Sequence, residues 1–442
     1  MNILSLTAGA ANMYCGSCLR DNALAAELMR RGHRVTLLPL YTPTLTDEPN
    51  VSEPRVFFGG LSVYLEQSVP LFRAAPRWLH WLLDRPTLIR AVSGRSITTD
   101  PRLLGALTAS MLRGEAGHQR KELDKLVAFL GGEPKPDVVN LPNSLLIALA
   151  RPLKRALGCP VVCTLQGEDL FLDGLPEPYR SEAISLVTRQ VVDVDLFVAV
   201  SHYYTRFMAD YLRIPRTKLR TVALGINLAG YDAAPRPQRS RFTVGYLARI
   251  APEKGLDQLC RAYRRLRHDG WLPPSRLEAA GYLGPEHRGY LADIQRSMRE
   301  WGLAEEFGYH GALDRTRKIA FLRSLDVLSV PTSYVEPKGL FVLEALACGV
   351  PVVEPRHGAF PEILGRTGGG LLVEPGDEAA LADGLLKLYH EPELAAQLGQ
   401  DGAAGVRALY GVATMADATI DVYAELIGSA SPAAIPAARA AT

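Results

Sequence analysis

Ser333-Tyr-Val-Glu-Pro-Lys-Gly-Leu-Phe-Val-Leu-Glu-Ala-Leu-Ala-Cys-Gly-Val-Pro-Val-Val353 reads as a strand end, a glycine turn, a short helix, a glycine stop and a second strand. Pro337 and Gly339 build a turn that hands backbone N–H groups to an anion at the start of the helix. Glu336 precedes that turn, and Glu344 lies beyond it, about one turn into the helix. Carboxylates accept hydrogen bonds from sugar hydroxyls. One acid on each side of an amide-rich turn therefore suits a ligand that carries both phosphate and sugar.

Outward from this stretch, short β-rich apolar runs alternate with amphipathic segments of helical length. Strands are expected at 3–6, 34–40, 137–141, 160–165, 196–200 and 221–224, then at 242–247, 276–280, 307–309, 327–330, 350–353 and 371–373. Helices are expected between them, for example at 19–31, 256–267, 288–301 and 378–389. Strands buried on both faces and separated by helices indicate parallel sheets. Two such blocks in 442 residues, more than one core comfortably serves, predict two doubly wound α/β domains facing each other. The first is expected over 1–230, with a helical insertion at about 68–130, and the second over 241–412. A proline-marked polar linker at 233–240 separates them. A final helix at 413–427 is expected to pack back on the first domain, and 428–442 reads as a disordered tail.

Composition excludes several classes. With 48% hydrophobic residues, 22% charged and a net charge of +2, the chain is ordinary for a globular protein and has no basic tract for nucleic acid. No apolar run reaches the length of a transmembrane helix, and the first one, at 2–7, is too short for a signal-peptide core. Six thinly spread cysteines argue against a disulfide framework and for a reducing cytoplasm. The insertion carries Trp78 and Trp81 among Arg73, Arg77, Arg85, Arg90 and Arg95. Packed tryptophans with solvated arginines are the favoured reading, and an acceptor-binding or membrane-touching surface is the alternative.

Three further clusters bear on chemistry. In Gly245-Tyr-Leu-Ala-Arg-Ile-Ala-Pro-Glu-Lys-Gly255 a strand runs into a loop that holds Arg249 and Lys254 before a helix. An arginine fork and a lysine point charge are complementary holders of a diphosphate. The first strand-to-helix turn, residues 7–22, holds Gly16 and Cys15-Gly-Ser-Cys18 but no G-x-G-x-x-G fingerprint. Without a second pair of metal-ligand spacing, its cysteines read as small residues in a tight loop. Cys163-Thr-Leu-Gln-Gly-Glu-Asp-Leu170 ends a strand in a polar loop, where Gln166, Glu168 and Asp169 either face the cleft or, for the acids, cap a helix or meet solvent.

Taken together these residues resemble the retaining GT-B glycosyltransferases of the family-4 type (glycosyl transferases group 1). The E-x7-E motif is Glu336…Glu344, the phosphate-binding pair is Arg249 and Lys254, the G-x-P-V-V stretch is 349–353, and the later glycine-and-acid element is Gly358…Glu362. The resemblance implies a nucleotide-sugar donor on the second domain and a glycan, lipid-linked or small-molecule acceptor on the first. It implies that Glu344 holds the ribose, that Glu336 contacts the donor sugar, and that the amides of Gly339, Leu340 and Phe341 meet sugar hydroxyls and phosphate. Arg249 and Lys254 would neutralise the leaving diphosphate. Retention of anomeric configuration, no cofactor and no bound metal are implied as well. Gly16 matches the family's amino-terminal glycine loop. Two departures bear on the donor: Lys338 stands where many members have an aromatic residue, and Gln166 where many have histidine.

The expected activity is thus hexosyl transfer in the cytoplasm, with the inner face of the membrane as an optional docking surface for the insertion. A nucleotide-sugar epimerase or hydrolase on the same scaffold, or a non-catalytic sugar-nucleotide sensor, are the competing readings. Epimerisation needs no separate acceptor surface, so the insertion favours transfer.

Overall fold

The structure is a computed structural model in which residues 1–9, 14–58, 101–231 and 241–430 are described. The linker at 233–240, the two tryptophans with their five arginines, and residues 431–442 of the expected tail lie outside the described residues.

Two six-stranded sheets, parallel throughout, organise the chain. The first comprises β1 (Asn2–Thr7), β2 (Arg34–Pro39), β3 (Val138–Leu141), β4 (Val161–Leu165), β5 (Leu196–Ala199) and β6 (Leu219–Thr221), in the order β2-β1-β3-β4-β5-β6. The second comprises β7 (Thr243–Leu247), β8 (Arg276–Ala280), β9 (Phe307–Tyr309), β10 (Val327–Leu328), β11 (Val352–Pro355) and β12 (Gly370–Val373), in the order β12-β11-β10-β7-β8-β9. The expected α/β class with two doubly wound units is what the chain forms. Strand order reverses between β1 and β3 in the first sheet and between β7 and β10 in the second. Crevices open at the carboxyl ends of strands at such reversals.

The period-two alternation of the strands is visible in the packing. Ile3, Val35, Leu37, Val138, Val162, Leu196 and Val198 point to one face of the first sheet, against the helix Gly16–Arg30 and the last helix, Val412–Ala430. Leu4, Leu6, Leu38, Val139, Leu141, Val161 and Phe197 point to the other. Met415, Ala416, Val422 and Tyr423 of the last helix are buried in that first-sheet cluster, and Asp417 and Glu425 pair with Arg31 and Arg220. The second sheet has one continuous core around Val244, Tyr246, Leu277, Val327 and Val352.

Several strand boundaries differ from expectation, β10 stopping at Leu328 rather than at 330, and two of the differences have a backbone reason. β6 ends at Thr221, because residues 222–226 leave the sheet to cross to the second unit: Leu224 N–H still reaches Val200 O at 3.2 Å, and Ile226 N–H bonds Tyr410 O at 2.8 Å. β11 begins at Val352 rather than at 350, because Val350 N–H is used to close the preceding helix on Ala345 O at 3.0 Å. Of the insertion, the helices Pro101–Leu112 and Arg120–Gly131 are described. No helix among the described residues is long and apolar enough to cross a membrane.

Candidate functional site

β7 and β10 flank the reversal of the second sheet, and the loops after them carry the motif residues. After β7 the chain passes Arg249 and makes a short turn over Pro252–Lys254 before the helix Leu256–His268. After β10 it passes Tyr334 and Glu336 and turns at Gly339 into the helix Leu340–Ala347. Gly339 has φ +66°, a left-handed conformation, and a Cβ there would lie 2.7 Å from Ile363 Cδ1. The left-handed backbone is what favours glycine at this turn. Val342 N–H donates to Gly339 O at 3.0 Å, while the N–H groups of Leu340 and Phe341, at the opening of the helix, have no intrahelical acceptor. They point where an anion is favoured.

The acid before the turn is buried and fully engaged. Lys254 Nζ donates to Glu336 Oε2 at 2.7 Å and to Tyr334 OH at 2.9 Å, and Tyr334 OH donates to the same carboxylate oxygen. Glu336 Oε1 accepts the N–H groups of Lys338 at 3.2 Å and Gly339 at 3.4 Å. Burial works to raise its pKa, but Lys254, Tyr334 and Lys338 outweigh burial and hold the carboxyl down to about 2. Arg249 is half-exposed and paired with Glu253. Gly358 lets the loop after β11 approach this turn, since a Cβ there would lie 2.2 Å from Glu336 O.

Glu344 anchors a second charged set deeper in the cleft. Its Oε1 accepts from Lys318 Nζ at 2.5 Å and from Tyr231 OH at 3.2 Å, and Lys318 also donates to Asp47 Oδ2 at 2.6 Å. Burial alone would lower the Lys318 pKa, but Glu344 and Asp47 together raise it above the usual lysine value. Asp47 belongs to the first unit, so this buried triad crosses the cleft.

The first unit supplies the facing wall. Gly16 opens the helix Gly16–Arg30 directly opposite the second unit, with a Cβ there only 3.4 Å from Leu340 Cδ2. Lys338 Nζ reaches across to Ser17 Oγ at 2.8 Å. Gln166 Nε2 donates to Pro142 O at 2.8 Å, and its buried Oε1 has no partner among the described residues. Glu168 does not face the cleft: its carboxylate turns inward to the N–H groups of Ser144 and Gln166, at 2.9 and 2.8 Å. Asp169 makes no cap and instead accepts from Tyr204 OH at 2.7 Å. Two buried backbone N–H groups claim Glu168, and a tyrosine hydroxyl claims Asp169.

One cavity of about 330 Å³ is lined by Gly16, Gln166, Arg249, Lys254, Glu336, Lys338, Leu340, Phe341 and Glu344. Gly339 is set back from it, behind the turn that it makes possible, and Glu168 and Asp169 do not line it. Asp47, Tyr334 and Lys318 line the same cavity and were not singled out from the sequence. Lys318 had a signal: it lies three and four residues before Phe321 and Leu322, on the buried face of its helix, where a lysine needs a partner.

The sequence family described as "Glycosyl transferases group 1" matches residues 232–404, and "Glycosyltransferase Family 4" matches 108–229. The D-inositol 3-phosphate glycosyltransferase 2 of Catenulispora acidiphila is 35% identical over 436 residues, covering 89% of this chain and 95% of the relative. The GDP-mannose-dependent alpha-(1-6)-phosphatidylinositol monomannoside mannosyltransferase of Mycolicibacterium smegmatis is 30% identical over 290 residues, covering 61% of this chain and 72% of the relative. The fold is shared with a sucrose-phosphate synthase from Thermosynechococcus elongatus at a TM-score of 0.71 and 16% identity, over 97% of this chain and 99% of that one. By these matches and by its two facing parallel sheets, the chain belongs to the group 1, family-4-type glycosyltransferases of GT-B fold.

Proposed function

We propose that this glycosyltransferase moves a sugar from a nucleotide-diphosphate donor, held on the second unit, to a hydroxyl of an acceptor on the first, with retention and without a metal. The observation that carries this reading is the convergence of Arg249, Lys254 and the N–H groups opening Leu340–Ala347 on one cavity that Glu344 also lines. Two cations and a helix N-terminus meet the charge that builds on a departing diphosphate. Glu344 takes the ribose hydroxyls and Glu336 the donor sugar. Glu336 already serves Lys254, Tyr334 and two backbone N–H groups. A carboxylate so engaged is a poor covalent nucleophile, which favours same-face displacement in which the leaving phosphate oxygen takes the acceptor proton. Gln166 offers its unpartnered Oε1 to a donor-sugar hydroxyl. The relatives named for GDP-mannose and for inositol phosphates make these the first donor and acceptor classes to try.

Transfer assays over a panel of nucleotide sugars with inositol phosphates test the reading. Arg249→Ala, whose side chain is half-exposed and leaves no buried charge behind, should lower kcat/KM about tenfold or more, a loss of about 1.4 kcal/mol, with Tm unchanged. Normal turnover in that variant would remove the diphosphate role. An inverted product anomer by NMR would refute retention, and activity abolished by a chelator and restored by a divalent ion would refute metal independence.

A further inference from the structure

The transfer chemistry leaves Cys15-Gly-Ser-Cys18 unused, yet the fold gives these cysteines unequal and complementary surroundings. Cys15 is the residue before the helix Gly16–Arg30, partly exposed, and lines the cleft beside Lys338 and Gln166. The other five cysteines are all buried. Cys18, one turn on, lies against the end of β1, where Thr7 Oγ1 reaches its sulfur at 3.9 Å. Asp21 follows on the same helix face, buried, with Oδ1 on Arg20 Nη1 at 3.0 Å and Oδ2 without a hydrogen-bond partner among the described residues. Residues three apart on a helix are neighbours, and the Asp21 carboxylate acts on the Cys18 thiol through its charge.

We propose that Cys15 and Cys18 form a thiol–disulfide modification site at the edge of the transfer cleft, in which Cys15 captures a low-molecular-weight disulfide and Cys18, with Asp21 as its proton acceptor, resolves the adduct. The Cys15 thiolate attacks one sulfur of RS–SR, breaks that S–S bond, releases RS⁻ and leaves a Cys15–S–SR mixed disulfide. Cys18 then passes its proton to the Asp21 carboxylate and attacks the Cys15 sulfur. The second RS⁻ leaves as the Cys15–Cys18 bond closes. Two protein thiols are oxidised by two electrons in total, and the small disulfide is reduced to two thiols.

The electrostatics run the same way. A hydrogen bond from the Cys18 thiol, opposed by burial and helped by the Lys338 ammonium, brings the Cys15 thiol well below its usual pKa. Cys18 is pushed up by that same bond and by burial. A thiolate at a helix N-terminus beside a cation is the form that attacks, and a buried protonated thiol behind it needs a base to follow. The adduct would occupy cavity volume next to Gln166 and Lys338, so resolution by Cys18 also clears the cleft.

Mass spectrometry on the reduced full-length chain treated with glutathione disulfide tests this without any assay of sugar transfer. The wild type should lose two hydrogens, with the bond mapped to Cys15 and Cys18 and the other four cysteines unmodified. Cys18→Ser should stop at one glutathione on Cys15, and Cys15→Ser should leave Cys18 reduced. Asp21→Asn should slow the second step by about tenfold, so that the adduct accumulates before the bond closes. A wild-type chain that keeps a stable glutathione adduct or forms no internal disulfide overturns the proposal. Closure in Asp21→Asn at the wild-type rate overturns the role of Asp21.

Discussion

At the scale of single residues, the site is a set of buried charges whose partners determine how they respond to pH and to substitution. Glu336 has its folded-state pKa lowered from 4.5 to about 2, the balance of burial against Lys254 and its other partners. A depressed acid contributes stability that is present above the unfolded value and lost as pH falls toward the folded one. The Tm advantage of wild type over Glu336→Gln should therefore be constant near neutrality and shrink between pH 4.5 and about 2, as thermal melts across that range would show. Glu354 behaves oppositely. It is buried in β11 on Val330 N–H, and burial raises its pKa well above 4.5. Stability tied to a raised acid is full at low pH and declines as pH climbs through the folded value. Glu354→Gln should gain Tm relative to wild type as pH rises above 4.5. Lys318 holds two buried carboxylates, and Lys318→Met should cost about 3–5 kcal/mol in denaturant melts, partly recovered by adding Glu344→Gln.

At the scale of elements, the turn and helix from Glu336 to Ala347 form the unit on which the reaction depends. Its parts were legible in the sequence because they are local: Gly339 suits a left-handed backbone, and Glu336 and Glu344 stand on either side of one turn, before and on the same short helix. Gly339→Ala should destabilise the fold by about 1–2 kcal/mol from the left-handed conformation alone. It should also lower kcat through the displaced N–H groups of Leu340 and Phe341, a loss that transfer kinetics separate from stability measured by melting. The loop at Gln166 was less legible. Glu168 and Asp169 looked like candidates for the cleft, but the donors that claim them, Ser144 N–H and Tyr204 OH, are 24 and 35 residues away along the chain. Local sequence carries no record of such partners.

At the scale of the whole molecule, the two units are tied on both sides of the cleft. Glu362 accepts the N–H groups of His202 and Tyr203, capping a helix of the other unit at 3.0 and 2.9 Å, and Ser201 Oγ donates to Pro337 O at 2.8 Å. Arg315 and Lys318 reach Glu48 and Asp47 on the other side. The chain crosses between units at Ile226 and again at Tyr410–Val412, where the two passages are hydrogen-bonded to each other. Adjacent crossings are the arrangement of a hinge. Glu362→Ala, which removes a charged helix cap worth about 1–2 kcal/mol, should open the cleft. An increased radius of gyration by X-ray scattering and a raised KM for the donor are the expected readouts, and unchanged scattering would count against Glu362 as a latch.

The sequence by itself determined the α/β class, the paired parallel sheets and the motif residues, since hydrophobic period, glycine conformation and short-range spacing are all properties of contiguous chain. Only the tertiary structure decided what each charge does. Glu336 became a buried partner of Lys254, 82 residues away; Glu344 became one end of a triad running to Asp47; and Glu362 became a clasp on the opposite unit. A charge acquires its role from the groups that replace its water, and those groups are chosen by the packing of distant segments.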